Sequence, residues 1–184
     1  MPNRGGKRPS TPPNRRQKVS MKSISLWQPW GSLWVAQVDK LYETRDWRCW
    51  WKGPLAIHAA KVLTYDTAEM CLDPEQPFAA AIKRLGITRL ADLPRGMVIG
   101  VCDGIISYKT DEMGVRKHNF NVGTPEVSAH ERQFGDFSPG RFFWKPINMR
   151  ALPEPIPARG TQGIWNWEPP ADVLAWLAER GVQP

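Results

Sequence analysis

The most apolar stretch of the chain, residues 97–107, constrains the fold more than any other segment. Its sequence, MVIGVCDGIIS, is too rich in β-branched residues for a helix, and Gly100 and Gly104 are suited to a bend in a barrel. The stretch is far shorter than the roughly 20 residues that a membrane helix needs. We therefore expect a soluble chain with one core, built around a central strand over residues 97–107.

Strand and helix signals precede this segment. Residues 23–26 alternate polar and apolar side chains as a strand does, and Pro29 stands where the first turn of a helix tolerates proline. The helix that follows should bury one face. Apolar residues at three-and-four spacing form that face: Trp30, Leu33, Trp34 and Val38. Residues 41–47 and 54–60 are strand candidates that we expect to pair with each other.

Capping signals at Asp66 and Asp73, with Gly86 as a stop, predict two short helices over residues 66–85. Residues 108–123 have no hydrophobic period and predict an exposed loop. After this loop, residues 124–134 predict a helix that Gly135 ends. Four residues share one face of that helix: Val127, His130, Glu131 and Phe134.

The last part of the chain alternates extended and helical signals. Strands are predicted over residues 141–147 and 163–167, with a Pro-rich extended link at 152–157 and a closing helix at 172–180. Short strands interleaved with helices, without repeated βαβ units, favour an α+β fold with a partly closed β-barrel and short surrounding helices.

The basic residues are unevenly distributed. Residues 1–20 hold six of the 25 basic residues, no acidic residue and almost no large apolar side chain, so we expect a disordered basic arm. Without it, 19 basic residues face 18 acidic ones, and the net charge of +7 comes almost entirely from the arm. The arm lacks the apolar stretch of a secretory signal, so a cytoplasmic protein is expected.

The cysteines and histidines indicate no metal site or disulfide framework. The three cysteines, Cys49, Cys71 and Cys102, are far apart, and no histidine stands at zinc-ligand spacing. We therefore expect no cofactor.

Five stretches of sequence carry a family resemblance. Four of them are SLWQPW at 25–30, KLYETRDW at 40–47, GPLAIHAAK at 53–61 and RGTQGIWNW at 159–167. The fifth is ERQFGDFSPGRFFW at 131–144. Together they resemble the ASCH domain, named for homology to an activating signal cointegrator, within the PUA-like superfamily. The resemblance covers residues 24–167, and the domain as a whole is expected over residues 21–184. It implies a β-barrel with a cleft for RNA or a nucleobase.

Lys40, Glu43 and Arg45 are the central site candidates. On a regular strand Glu43 and Arg45 point the same way, whereas Lys40 joins them only if a turn intervenes. Arg offers a planar donor fork and Glu accepts from exocyclic amines, so the three can hold a base edge and an anion. The alternative is an ion-pair brace between helix and strand. We expect Trp27, Gln28 and Trp30 to lie in the same cleft, as stacking rings and a base-edge amide.

Other residues of these stretches are weaker candidates. His58 is either a ligand contact or a hydrogen-bonded core residue. Lys61 is a candidate phosphate contact, and Arg141 a candidate for the wall of the cleft. Arg159 and Gln162 belong to a turn whose amides are able to approach a phosphate.

The resemblance leaves three functions open. The first is a reader that binds RNA or a modified nucleobase without turnover. The second is a hydrolase, because a bacterial ASCH subgroup cleaves the acetyl amide of N4-acetylcytidine with a lysine, a threonine three residues later and a distant glutamate. Lys40 matches the lysine, Glu43 replaces the threonine, and Glu131 is the candidate distant glutamate; an RNA-cleaving enzyme would use the same groups. The third is a protein-interaction module of the coactivator type.

Overall fold

The computed structural model describes residues 19–110 and 125–184; the predicted arm up to residue 18 and the predicted loop from residue 111 lie outside them. Val19 and Ser20, the last residues of the predicted arm, are exposed and belong to no strand or helix. The described strands are β1 (Met21–Leu26), β2 (Glu43–Arg45), β3 (Leu55–Ala59), β4 (Met97–Cys102), β5 (Gly104–Lys109), β6 (Phe142–Ile147), β7 (Arg150–Pro157) and β8 (Ile164–Trp167). The α-helices are α1 (Trp30–Ala36), α2 (Tyr65–Leu72), α3 (Pro77–Arg84) and α4 (Ala171–Ala178), and 3-10 helices cover Leu90–Asp92 and Glu131–Phe134.

The strands form two sheets, so the predicted α+β class is confirmed. The larger sheet has the order β7-β4-β3-β1-β8, with β1 and β3 parallel and all other neighbours antiparallel. The smaller sheet is antiparallel, with the order β2-β6-β5. The described strands do not close into one barrel. The predicted pairing of residues 41–47 with 54–60 is wrong, because β2 pairs with β6 while β3 lies between β1 and β4.

The chain crosses between the two sheets at Asp103, so the prediction of one central strand over residues 97–107 is wrong. Gly100, in β4, and Gly104, in β5, belong to different sheets. The Asp103 carboxylate accepts hydrogen bonds from Asn148 Nδ2 at 2.8 Å and Arg150 Nη2 at 3.1 Å, where the chain returns from β6 to β7. These hydrogen bonds connect the β4–β5 crossing to the β6–β7 crossing.

The Pro-rich link at 152–157 is a strand rather than a connection. It forms most of β7, which has β4 as its one neighbour and lies at the edge of the larger sheet. Proline lacks the N–H that a ladder needs, and an edge strand tolerates this loss. The β4–β7 register shifts between Val98 and Gly100, next to the proline-rich part of the strand.

Helix α1 confirms the predicted helix after Pro29 but is shorter than its apolar pattern. Leu33 and Trp34 are fully buried, whereas Val38 is 59% exposed, so its assignment to the core is wrong. The helix ends at Ala36 because Gln37 takes a left-handed conformation with φ of 53°, which turns Val38 away from the buried face.

The other helix predictions have mixed outcomes. Helices α2, α3 and α4 confirm the segments predicted at 66–85 and 172–180. The helix predicted over 124–134 is wrong within the described residues, since only Glu131–Phe134 is helical, as one 3-10 turn. Val127, Glu131 and Phe134 are nevertheless buried, while the His130 side chain is 52% exposed.

A core between the two sheets holds the site in place. Ile24, Ile57 and Ile99 of the larger sheet pack in one buried cluster with Trp144 of the smaller sheet. Helix α1 lies so close to β4 that a Cβ on Gly100 would come within 2.8 Å of the Val35 methyl groups. The start of α1 and the adjacent strand ends are therefore fixed by packing.

Candidate functional site

A cleft of about 1760 Å³ opens at one end of the larger sheet. Much of its lining comes from the ends of β1, β3 and β7 and the starts of β4 and β8, which meet at this end because of the sheet's strand directions. Lys40 and residues 43–47 and 134–136 line the cleft as well.

Nine of the twelve residues predicted for the site line this cleft: Trp27, Trp30, Lys40, Glu43, Arg45, His58, Lys61, Arg159 and Gln162. The remaining three, Gln28, Arg141 and Glu131, are not among its lining residues. The motifs at 25–30, 40–47, 53–61 and 159–167 are thus brought together, although they are distant in the sequence.

Lys40, Glu43 and Arg45 form a continuous chain of charges. Lys40 Nζ lies 3.2 Å from Glu43 Oε2, and Glu43 Oε1 lies 3.1 Å from Arg45 Nε. The Nε contact is outside hydrogen-bond geometry, whereas Arg45 Nη2 donates to the Ser25 carbonyl at 3.3 Å. The Arg45 side chain is 27% exposed, and its Nη1 has no hydrogen-bond partner among the described residues. Arg45 therefore keeps donor capacity for a ligand.

Lys40 is the most buried member of this chain. Besides Glu43, its ammonium donates to the carbonyl oxygens of Tyr42 at 2.5 Å and Phe134 at 3.2 Å. Three oxygen partners match the three N–H groups of an ammonium. Lys40 thus holds the Glu43 carboxylate in position and has no donor left over.

Glu131 explains why Lys40 and Glu43 face the same way. Its two carboxylate oxygens accept the backbone N–H groups of Leu41, at 2.7 Å, and Tyr42, at 3.1 Å. The segment before β2 is therefore irregular, as the predicted turn requires. Burial raises the pKa of Glu131 above its usual value, and these two hydrogen bonds oppose the rise. Glu131 fixes the backbone next to the cleft and is not itself among the lining residues.

Gln28 and Arg141 also support the cleft from outside. The Gln28 amide is fully buried; its Nε2 donates to Ser32 Oγ and the Pro94 carbonyl, both at 2.7 Å, and its Oε1 accepts from Ser32 N. Both N–H groups of the amide are used and the residue is fully buried, so Gln28 does not reach a base edge in the cleft. Arg141 lies 3.2 Å from the Asp136 carboxylate and helps to fix the turn that carries Asp136 to the cleft.

Three tryptophans of the site differ in their freedom to stack on a ligand. Trp30 packs edge-on against Phe78, and Trp47, which was not selected from the sequence, packs edge-on against Trp144. Trp27 is 60% exposed. An exposed indole on a cleft wall offers a free face for a base, so Trp27 is the best stacking candidate.

His58 is held by two contacts in the floor of the cleft. Its Nε2 lies 3.1 Å from the Ala158 carbonyl oxygen, which only accepts, so Nε2 carries a proton; Nδ1 lies 3.0 Å from Ser25 Oγ. Burial lowers the pKa of His58. Gly160 covers this pair so closely that a Cβ there would lie 2.6 Å from Ser25 Oγ. These contacts fasten the segment that carries Arg159 and Gln162.

The structure adds Arg95 to the cleft, next to Lys61 and Arg159. Arg95 lies in the loop before β4, outside the recognised motifs, and no sequence pattern marks it as a ligand contact. Within residues 19–110 and 125–184, no group of three or more His, Cys, Asp or Glu side chains is arranged to hold a metal ion. None of the described helices combines the length and hydrophobicity needed to cross a membrane.

Comparison with protein-family models finds none that matches this chain. No curated protein matches its sequence significantly either.

Proposed function

We propose that this chain is an ASCH-type reader of the PUA-like superfamily that binds RNA or a modified nucleobase in the cleft. The observation that carries the proposal is the convergence of Trp27, Glu43 and Arg45 on one cleft. They supply a free aromatic face, an acceptor and a planar donor, which are the groups that recognise an unstacked base.

The three groups fit a base that presents an amine beside a ring nitrogen or carbonyl. Glu43 is bonded to Lys40 through one oxygen and paired with Arg45 through the other, yet each carboxylate oxygen can accept more than one hydrogen bond. Arg45 donates from Nη1, and Trp27 covers the face of the ring. Because Lys40 and the Ser25 carbonyl hold this pair, the recognition groups are ordered before the ligand arrives.

The geometry favours binding over hydrolysis. An amidohydrolase would need Lys40 to stabilise an oxyanion, but the three partners of Lys40 occupy its ammonium. Either Glu43 or Glu131 would have to activate water. Glu131 is buried and bonded to two backbone amides, and the Glu43 carboxylate is paired with both Lys40 and Arg45. These contacts support a reader.

The test compares two exposed tryptophans, one inside the cleft and one outside it. Trp27→Ala is expected to weaken binding of a fluorescently labelled short RNA by about 1–3 kcal/mol, measured by anisotropy. Trp50→Ala is the matched control, because Trp50 is 63% exposed and does not line the cleft. Equal binding by wild type and both variants would contradict the proposal.

The same preparation separates the alternatives. Wild-type protein is incubated with N4-acetylcytidine, and cytidine is followed by chromatography. Release of cytidine that Arg45→Lys abolishes would replace the reader with a hydrolase. If neither RNA nor nucleoside binds, the cleft is not a nucleic-acid site, and a protein-interaction module takes its place.

A further inference from the structure

The end of the larger sheet brings three cations into a row. Backbone hydrogen bonds join the neighbouring strand ends directly: Gly96 N donates to the Ala59 carbonyl at 2.8 Å, and Ala158 N donates to the Gly96 carbonyl at 3.0 Å. A cation stands within two residues of each bonded strand end. These cations are Lys61 after the end of β3, Arg95 before the start of β4 and Arg159 after the end of β7. We call these three side chains the cationic edge.

The cationic edge is exposed and lacks acidic partners. All three side chains are exposed and line the cleft. None of them forms an ion pair with another residue in the described part of the chain, whereas Arg84, Arg89 and Arg150 each pair with an aspartate. Three uncompensated cations at adjacent strand ends therefore create a local positive potential in a domain that is nearly neutral.

Acidic groups of the cleft cancel this potential only in part, because one lining carboxylate, the exposed Asp46, has no ion-pair partner among the described residues, against three such cations in the edge. The lining carboxylates are Glu43, Asp46 and Asp136. Glu43 is paired with Lys40 and Arg45, and Asp136 with Arg141. These three carboxylates come from residues 43–47 and 134–136, whereas the cationic edge comes from the strand ends of the larger sheet, as does Trp27.

The spacing suits a phosphate backbone. Neighbouring strands lie roughly 4.8 Å apart, so side chains from three adjacent strands span roughly 10 Å. A single-stranded nucleic acid carries one phosphate per nucleotide, so cations spread over this span are able to contact more than one phosphate. Exposed Lys and Arg side chains are the usual phosphate contacts.

We infer that the cationic edge binds the sugar-phosphate backbone, so that the ligand of the cleft is a nucleotide within a single-stranded RNA rather than a free nucleoside. This inference rests on the proposed function, because the base enters the Trp27–Glu43–Arg45 side of the cleft. Arg95 lies outside every recognised motif. Replacing it therefore tests the inference independently of the family resemblance.

The experiment measures affinity of the full chain for a nucleoside, its 5′-monophosphate and a short single-stranded RNA containing it. The variant is Arg95→Gln combined with Arg159→Gln. The matched control is Lys83→Gln combined with Lys145→Gln, which removes the same charge from exposed positions outside the cleft. Thermal unfolding confirms that both proteins are folded.

We expect the variant to bind RNA more weakly than wild type does. The magnitude of its slope of log affinity against log salt should be smaller by about 0.7 for each phosphate contact removed. Nucleoside affinity stays at the wild-type value, and the control matches wild type throughout. Lys61→Gln reduces the same slope independently.

Three results would overturn the inference. If the variant binds RNA with wild-type affinity and wild-type salt dependence and still binds the nucleoside, the cationic edge does not contact the RNA backbone. The proposed function would survive that result. Competition by polyglutamate as strong as competition by RNA of equal charge would make the edge a general acidic-ligand site. Absence of nucleoside and RNA binding in wild type would end both proposals.

Discussion

Lys40 is 1% exposed and donates to two backbone carbonyls as well as to Glu43. If Lys40 served only as a ligand contact, Lys40→Ala would abolish ligand binding and leave the fold intact. Burial changes that expectation, because the variant leaves the Glu43 carboxylate and two carbonyl oxygens without this partner. We predict a loss of about 3–5 kcal/mol of unfolding free energy, measured by urea denaturation.

The control for Lys40 is Lys145→Ala, an exposed lysine of β6 whose loss should change stability by less than about 0.5 kcal/mol. Equal urea midpoints for Lys40→Ala and wild type would show that the buried charge is not a support of the fold. In that case Lys40 would again be a candidate for direct contact with the ligand.

Because Gly160 has no side chain, the 158–163 segment packs directly against Ser25 and His58. A Cβ would lie 2.4 Å from His58 Nδ1. Gly160→Ala should therefore displace Arg159 and Gln162, weaken RNA binding and cost about 1–3 kcal/mol of stability by overpacking.

Thr161→Ala is the control for Gly160→Ala, because it alters the adjacent exposed side chain without adding an atom. RNA titration and thermal unfolding are measured on both. Wild-type affinity in Gly160→Ala would mean that the segment moves without consequence, and that Arg159 and Gln162 do not contact the ligand.

At the scale of elements, helix α1 connects the core to the cleft. Leu33 packs in a buried cluster with Phe78 and Phe134, while Trp30 at the start of the helix lines the cleft. We predict that Leu33→Ala costs about 2–5 kcal/mol in unfolding free energy. Val38→Ala, on the exposed turn after the helix, should be nearly neutral. Similar urea midpoints for the two variants would contradict this description of α1.

Local signals identified most elements but not their partners. The alternation at 23–26 and the caps around 66–85 are properties of neighbouring residues, and the structure confirms them. The break at Asp103 is different, because its carboxylate is bonded to Asn148 and Arg150, more than forty residues later in the chain. The local sequence of residues 97–107 gives no information about such a long-range contact. Its apolar pattern therefore predicted one continuous strand.

The same distinction applies to the candidate site. The motifs at 40–47 and 53–61 carry residues that the sheet ends bring to one cleft, and they were found from the sequence. Gln28 was misplaced because its buried amide is satisfied partly by the Pro94 carbonyl, a long-range contact. Arg95 was missed because its position depends only on β4 lying between β3 and β7.

At the scale of the whole molecule, the cleft depends on both sheets. The larger sheet supplies the cationic edge and Trp27, and the smaller sheet supplies Glu43 and Arg45 through β2. The shared core around Ile57 and Trp144 sets the distance between them. Binding a base and a backbone in one cleft therefore requires both sheets of the assembled domain.

Basic charge has a second location, in residues 1–20, and its contribution can be separated from that of the cationic edge. The composition of this segment predicts no docked apolar surface, so deleting residues 1–20 should leave the thermal midpoint nearly unchanged. Its six basic residues should add salt-sensitive, nonspecific RNA affinity, so deletion should reduce the salt slope. Affinity for a nucleoside should not change, because the base site lies within the described domain. Deletion combined with Arg95→Gln should lower the slope by the sum of the separate effects, since independent sites add. A large fall in the melting temperature would show instead that these residues pack against the domain.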